Sequence, residues 1–352
     1  MGGNKGMGKK GVLLMNIGTP DTDQPISVLK YLRQFLNDPR VIDLPSIVRW
    51  LLVHCYILPR RYRQSTRAYK AIWLSSGSPL LVHSLAVKEA LGKALGPEFH
   101  VEMGMRYGQP SIQKALEQLK YCYSLTAIPL FPQYSSAATG SAIEEMNHCL
   151  LKWWNIPELY IQRDFFNHPG YIASYAKNIQ ESIAHQKVDC LIFSYHGLPE
   201  RHIQKSHCTA ICDKLHDCPE MQETNSFCYR AQSFATSHQI AKILGLTENQ
   251  YRVSFQSRLG ATPWIKPYTD QLLPKLIESG IKNIAVVCPS FVTDCLETLE
   301  EVNIRMREQW KSLHGNSFTF IPCLNSQPSW IQALANMIKS GQLNNSFQTI
   351  QP

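Results

Sequence analysis

Gly11-Val12-Leu13-Leu14-Met15-Asn16 is an apolar run with no alternation from Val12 to Met15, and Gly18-Thr19-Pro20 ends it. A strand that shows one face to water alternates apolar with polar residues, whereas a strand covered on both faces does not. The run therefore predicts an interior strand of a parallel sheet. The same signature returns at residues 99–103, 124–130, 159–162, 189–194, 252–255, 283–287 and 318–322, mostly separated by segments of helical length. That rhythm is the pattern of strands joined by crossover helices. Two sets of four strands predict an α/β fold of two similar, doubly wound domains, each on a four-stranded parallel sheet, with no strict sequence repeat. The expected layout is a flexible N-terminus (1–10), an N-terminal domain (11–175), a C-terminal domain (176–325), a helix packing back (326–342) and a tail (343–352).

With 352 residues, 44% of them apolar and 18% charged, the chain has enough material for two cored domains. Its formal charge of +8 is moderately basic. No basic tract interleaved with aromatics appears, so no nucleic acid partner is expected. A carboxylate-bearing substrate or an anionic lipid surface accounts for the charge equally well. Residues 1–10 are rich in Gly and Lys with no apolar stretch behind them, and Gly6 stands where a myristoylation signal needs Ser or Thr. No apolar run approaches the roughly 20 residues of a membrane span. The expectation is a cytoplasmic protein, peripheral at most at the inner membrane face. In that compartment the 11 cysteines are not a disulfide framework, which turns attention to metal binding.

Residues 17–98 are too many for one crossover. Within them Ile47-Val48-Arg49-Trp50-Leu51-Leu52-Val53 and Tyr56-Ile57-Leu58-Pro59 precede Arg60-Arg61-Tyr62-Arg63. Two readings of the 45–63 segment stand side by side: a core helix with a basic cap, or an exposed apolar lip touching a flat greasy ligand or a membrane.

In open α/β sheets, ligands bind beyond the carboxyl ends of the strands. Ser194-Tyr195-His196-Gly197-Leu198-Pro199 lies at such an end, after Cys190-Leu191-Ile192-Phe193. An isolated His there is commonly structural, yet a neutral imidazole can also take a proton near pH 7 or ligate a metal. Asp294, Glu297, Glu300 and Glu301 begin a helix after the strand at 283–287. Acids at a helix start answer the helix dipole. The spacing of Glu297 and Glu301 also puts both on one face, where they can hold or relay a divalent cation or take up protons. In the first half, Arg106 and Tyr107 follow the second strand and Tyr134 the third. Arg106 could pair with a substrate carboxylate, while Tyr134 and Trp264 could stack on a flat ring.

Six words occur in the order and spacing of one family. They are Leu14-Met15-Asn16-Ile17-Gly18-Thr19-Pro20, Arg106-Tyr107-Gly108, Pro132-Gln133-Tyr134-Ser135, Ser194-Tyr195-His196-Gly197-Leu198-Pro199, Phe255-Gln256-Ser257-Arg258 and Asp294-Cys295-Leu296-Glu297-Thr298-Leu299. From about Val12 to Ile338 the chain closely resembles the ferrochelatases. The resemblance implies two Rossmann-like halves with a porphyrin cleft between them and insertion of Fe²⁺, the substrate metal, into a porphyrin. It implies a bent porphyrin whose pyrrole nitrogens are aimed at the incoming metal. The family's essential His maps onto His196, as proton acceptor, and its essential carboxylate onto Glu297, on the metal side, with Glu301 behind. Arg106, Tyr107, Tyr134 and Trp264 match substrate-binding positions. Two departures stand out. Cys295 replaces a His of animal members, and Ile17 replaces the Tyr of the coproporphyrin-using branch, which favours protoporphyrin IX. A haem- or iron-responsive binding protein on the same fold is the rival reading, and intact His196 and Glu297 argue against it.

Cys208, Cys212, Cys218 and Cys228 form C-x3-C-x5-C-x9-C within a segment, 205–228, inserted relative to shorter bacterial members. Such a thiolate quartet suits a structural zinc or an iron-sulfur cluster. The resemblance tips the choice to a [2Fe-2S] cluster, held wholly by this internal segment. The animal arrangement does not apply, since Ser136 replaces its first ligand. Cys55, Cys122, Cys149, Cys190, Cys288 and Cys323 read as buried small apolar residues.

Overall fold

A computed structural model describes residues 8–206, 218, 220–258, 260 and 262–340. Strands form at each of the continuous apolar runs: β1 (Lys10–Gly18), β2 (Phe99–Tyr107), β3 (Ser124–Pro129), β4 (Glu158–Ile161), β5 (Cys190–His196), β6 (Tyr251–Gln256), β7 (Asn283–Val287) and β8 (Ser317–Phe320). They make two four-stranded parallel sheets, ordered β2-β1-β3-β4 and β6-β5-β7-β8. In each sheet the first strand lies inside and its successors are added on either side. The winding therefore reverses between the first and third strands, which opens a crevice at their carboxyl ends.

Both faces of the inner strands are covered. Leu13 and Met15 of β1 enter a core with Ile112, Leu116 and Met146, while Val12 and Leu14 on the opposite face are buried too. In β5, Cys190 and Ile192 pack with Leu273, Val302 and Trp310.

The chain divides into two compact units, residues 8–131, 135–164 and 325–340 in one and 132–134 and 165–324 in the other. The passage falls at 164/165, before the helix Pro169–Ile183, whereas a division at 175/176 would run through that helix. The helix Pro328–Lys339 belongs to the first unit, where Lys339 Nζ donates to the Ala94 carbonyl at 3.0 Å. Residues 132–134 join the second unit because Gln133 Nε2 donates to Thr236 Oγ1 (2.9 Å) and the Tyr134 N–H to Gln232 Oε1 (2.7 Å).

Residues 46–72 run as one helical stretch with a π-helical centre, Leu52–Ile57, between the α-helices Ser46–Leu51 and Leu58–Ile72. One of its faces is covered and the other is exposed. Val53 and Leu58 are buried with Leu36 and Ile42, while Ile47, Val48, Trp50, Leu51 and Tyr56 are exposed, Ile47 at 75%. Cys55 corrects one expectation: it lies exposed on this stretch, while Cys122, Cys149, Cys190, Cys288 and Cys323 are buried. Among the described residues no helix is long and apolar enough to cross a membrane.

The last β1–β2 pair sets Gly18 against Tyr107, with φ +105° at Gly18. A Cβ there would stand 1.7 Å from the Tyr107 carbonyl oxygen. Gly18→Ala should therefore cost about 3 kcal/mol or more in urea unfolding. A loss below about 1 kcal/mol would mean that this strand end is not fixed as described.

Candidate functional site

In the second unit the ladder between β5 and β6 ends with His196 opposite Gln256. The chain turns out of the sheet at Gly197, whose N–H donates to the Gln256 carbonyl at 2.7 Å. A Cβ on Gly197 would lie 2.7 Å from that oxygen and 3.2 Å from Trp264 Cε3, so this approach needs glycine. The His196 N–H donates to Ser290 Oγ (3.2 Å), and its carbonyl accepts from Tyr229 Oη (2.9 Å). His196 Nδ1 lies 2.6 Å from the Gly197 carbonyl oxygen. A carbonyl only accepts, so Nδ1 carries a hydrogen, and the lone pair of the neutral form of the ring is at Nε2.

The π-helix Glu297–Met306 follows β7. Gln256 joins it to His196's strand: Nε2 donates to the Glu297 carbonyl (2.9 Å), while Oε1 accepts from Ser194 Oγ (2.5 Å). The Ser257 hydroxyl donates to the Glu301 carboxylate from a left-handed backbone, φ +68°. Burial, and then the neighbouring Glu297 charge, push the Glu301 carboxyl up, against the Ser257 bond and the pull of His196 and Arg305. His196, Glu297 and Glu301 thus share one electrostatic neighbourhood. Among the described residues no three His, Cys, Asp or Glu side chains are gathered closely enough to hold a metal ion. Cys295, in place of a His, is buried, and burial followed by the Glu297 charge keeps it a thiol.

Trp264 is buried beside Gly197 and bridges to Pro199. Cys228 is wholly buried at the start of the helix Tyr229–Leu244. Arg230, in the first turn of that helix, donates to Cys218 Sγ at 2.6 Å. Cys208 and Cys212 lie outside the described residues.

In the first unit Ile17 sits half-buried at the end of β1. Arg106 and Tyr107, at the end of β2, converge on a residue with no sequence signal of its own, Asp38. Its Oδ2 accepts from Arg106 Nη2 (2.8 Å), Tyr107 Oη (2.8 Å) and Ser141 Oγ (2.5 Å), and its Oδ1 from the Arg40 N–H (2.7 Å). Arg106 also donates to Ser141 and lies 3.5 Å from Glu145. A substrate carboxylate at Arg106 would have to share these partners. An open groove of about 470 Å³ is lined by Lys30, Arg33, Gln34, Asn37, Trp50 and His54, with Trp50 stacked on His54.

Besides Asp38, sequence reasoning left Gln256, Ser257, Ser290 and Tyr229 without roles. The first two stood inside a quoted word without a role of their own. Burial alone would raise the Asp38 pKa, yet the bonds from Ser141, the Arg40 N–H and Tyr107, with the Arg106 charge, hold it below the usual range. A carboxyl whose pKa is lower folded than unfolded adds stability above its unfolded pKa, and that stability is lost as pH falls through the folded value. Asp38→Asn should thus cost about 3 kcal/mol near neutrality. The gap to wild type should stay flat down to about pH 5 and narrow below about pH 4. Urea unfolding across that range tests this, and a pH-independent gap would remove the charge from the explanation.

A family model described as Ferrochelatase matches residues 9–342. A ferrochelatase of Legionella pneumophila (strain Lens) is 52% identical over 330 residues, covering 94% of this chain and 98% of that one. One of Coxiella burnetii (strain RSA 493 / Nine Mile phase I) is 50% identical over 338 residues, covering 95% and 94%. Among solved structures, SirB from Bacillus subtilis with Fe³⁺ aligns with a TM-score of 0.53 at 11% identity, over 94% of this chain and 95% of that one. At that identity the likeness speaks for the fold alone. The family match spans both sheets and both strand-end clusters, and the chain belongs to the ferrochelatase family, enzymes that insert Fe²⁺ into a porphyrin on the way to haem.

Proposed function

We propose that this enzyme inserts Fe²⁺ into protoporphyrin IX, giving protohaem and two protons, with His196 Nε2 as first acceptor of a pyrrole proton. The observation that carries this is the bond between His196 Nδ1 and the Gly197 carbonyl. It leaves Nε2 basic beside Glu297 and Glu301. Both pyrrole N–H protons must leave as the metal's two positive charges enter, so one base does not suffice. Glu301, whose carboxyl is pushed up, holds a proton more readily than an ordinary carboxylate and suits a relay. Glu297 is read as the metal-side carboxylate.

An apolar Ile17 at the crevice of the first sheet suits the less charged rim of protoporphyrin IX. Tyr134 and Trp264 are read as aromatic contacts, and Arg106 with Tyr107 as the polar edge that Asp38 keeps in shape. The exposed Ile47, Val48, Trp50 and Leu51, followed by exposed Arg60 and Arg61, suit a flat apolar ligand and peripheral contact with the inner face of a membrane from the cytoplasm.

Cys208, Cys212, Cys218 and Cys228 are read as the holders of a [2Fe-2S] cluster, with structural zinc as the alternative. The support is the chemistry of the donors: Arg230 beside Cys218 favours thiolate, the form that binds metal. A bound cluster would supply one-electron redox chemistry; its role here is read as structural or redox-sensing.

His196→Ala should keep porphyrin affinity, followed by fluorescence quenching, while kcat falls by about 100-fold or more. Wild-type turnover would remove His196 from the chemistry. Anaerobically purified protein should show charge-transfer bands between about 320 and 600 nm with equal iron and sulfide. Colourless protein containing one zinc would replace the cluster by a structural staple.

A further inference from the structure

We propose that Tyr229 is the positioning residue for His196, acting through the peptide that joins His196 to Gly197. The inference rests on the reading of His196 as proton acceptor and adds a residue to that site. Pairing between β5 and β7 stops at Phe193 opposite Val287, so His196 has no ladder partner on that side. Two side chains take the ladder's place, Ser290 Oγ on the His196 N–H and Tyr229 Oη on its carbonyl. The other end of the same peptide, the Gly197 N–H, is held by the Gln256 carbonyl. The peptide plane is therefore clamped at both polar ends. Gly197, held at its N–H by the clamp, also supplies from the next peptide the carbonyl that selects the imidazole tautomer, so the clamp sets the position from which that carbonyl meets Nδ1.

Tyr229 is equipped for this role. It is buried, and its hydroxyl lies 2.9 Å from a carbonyl oxygen that can only accept, so the phenol is the donor. Its backbone opens a helix whose first turn is tied down on several sides. Arg230 Nε donates to the Lys266 carbonyl (3.0 Å), Gln232 Nε2 to the Ser226 carbonyl (2.8 Å), and Ser233 Oγ to the carbonyl of Tyr229 itself (2.8 Å). The hydroxyl is thus offered to His196 from a fixed mount. Tyr229 is given no part in proton transfer.

The test compares Tyr229→Phe with Phe318→Ala, which opens the core of the same unit at the edge strand β8, outside the mount of Tyr229. Tyr229→Phe should lower kcat about tenfold with KM unchanged within about twofold, the scale expected for a misplaced base. In ¹⁵N spectra of histidine-labelled protein, the His196 ring, assigned by its loss in His196→Gln, should shift from a single Nδ1–H tautomer towards an average. Phe318→Ala should keep the wild-type ring pattern even where its melting temperature falls as far. Should Tyr229→Phe not fold, Ser290→Ala releases the other clamp on His196 and should move the ring pattern and kcat in the same direction. Wild-type kcat and ring pattern in Tyr229→Phe, with His196→Ala inactive, would overturn this proposal and leave the proton-acceptor reading standing. The same ring shift in Phe318→Ala would also overturn it, since general loosening would then be the cause. Wild-type turnover in His196→Ala would overturn both.

Discussion

A strand covered on both faces has no place for an unsatisfied polar side chain except at its ends. In β5 the stretch Cys190–Phe193 is wholly apolar, and its polar chemistry begins at Ser194. The exceptions inside the second sheet are hydrogen-bonded in series. Thr269 Oγ1 donates to Ser254 Oγ (2.9 Å) and lies 3.2 Å from Ser194 Oγ, which donates to Gln256 Oε1; Gln256 Nε2 then reaches the Glu297 carbonyl. A polar thread therefore runs from the sheet interior to the strand ends. Its course depends on parallel register: His196 meets Gln256 only because β5 and β6 pair as they do. A slip of one residue would turn each β6 side chain to the other face and part Gln256 from Ser194.

Two carboxylates show how environment divides one chemistry into two roles. Asp38 and Glu301 both lie in recessed sites, and burial alone would raise both. Asp38 gathers three side-chain donors and a backbone N–H, which win, so it stays a fixed negative charge that holds Arg106 and Tyr107. Glu301 has the Ser257 hydroxyl and the charges of His196 and Arg305 against burial and the repulsion of Glu297, and burial wins. The first is a structural anchor across the working pH range. The second is pushed up by the same burial that the first overcomes.

The strands were legible because double-sided burial leaves an unbroken apolar run, and each of the eight runs became a strand. The crevices followed from strand order, so His196 and Glu297 could be picked as strand-end residues of one sheet. What could not be read depends on contacts distant in sequence. Asp38 meets Arg106 across 68 positions, and no local pattern announces it. Gln256 and Ser257 carry their roles through side-chain bonds that look, in sequence, like ordinary turn chemistry. The spacing of Glu297 and Glu301 reads as one α-helical face, yet the segment is π-helical, a widening that periodicity does not report. Cys55 was misread because an apolar run such as 47–58 does not reveal which of its faces is covered.

The same network bears on which positive charges are open to an anion. Arg106 is one cation facing two acids, Asp38 at 2.8 Å and Glu145 at 3.5 Å, so the group as a whole is negative. A carboxylate approaching Arg106 meets that net repulsion and must compete with bonds already made in a buried setting. Arg60 and Arg61 stand in the opposite situation. Both are exposed beside the apolar stretch, and Arg60 lies over the Tyr56 ring at 4.0 Å. No acid in an ion pair with either is found among the described residues, so their charge is not cancelled locally. The charge of Arg106 is therefore committed to holding the edge of the first sheet in shape, while the charges of the 46–72 stretch stand exposed beside apolar surface.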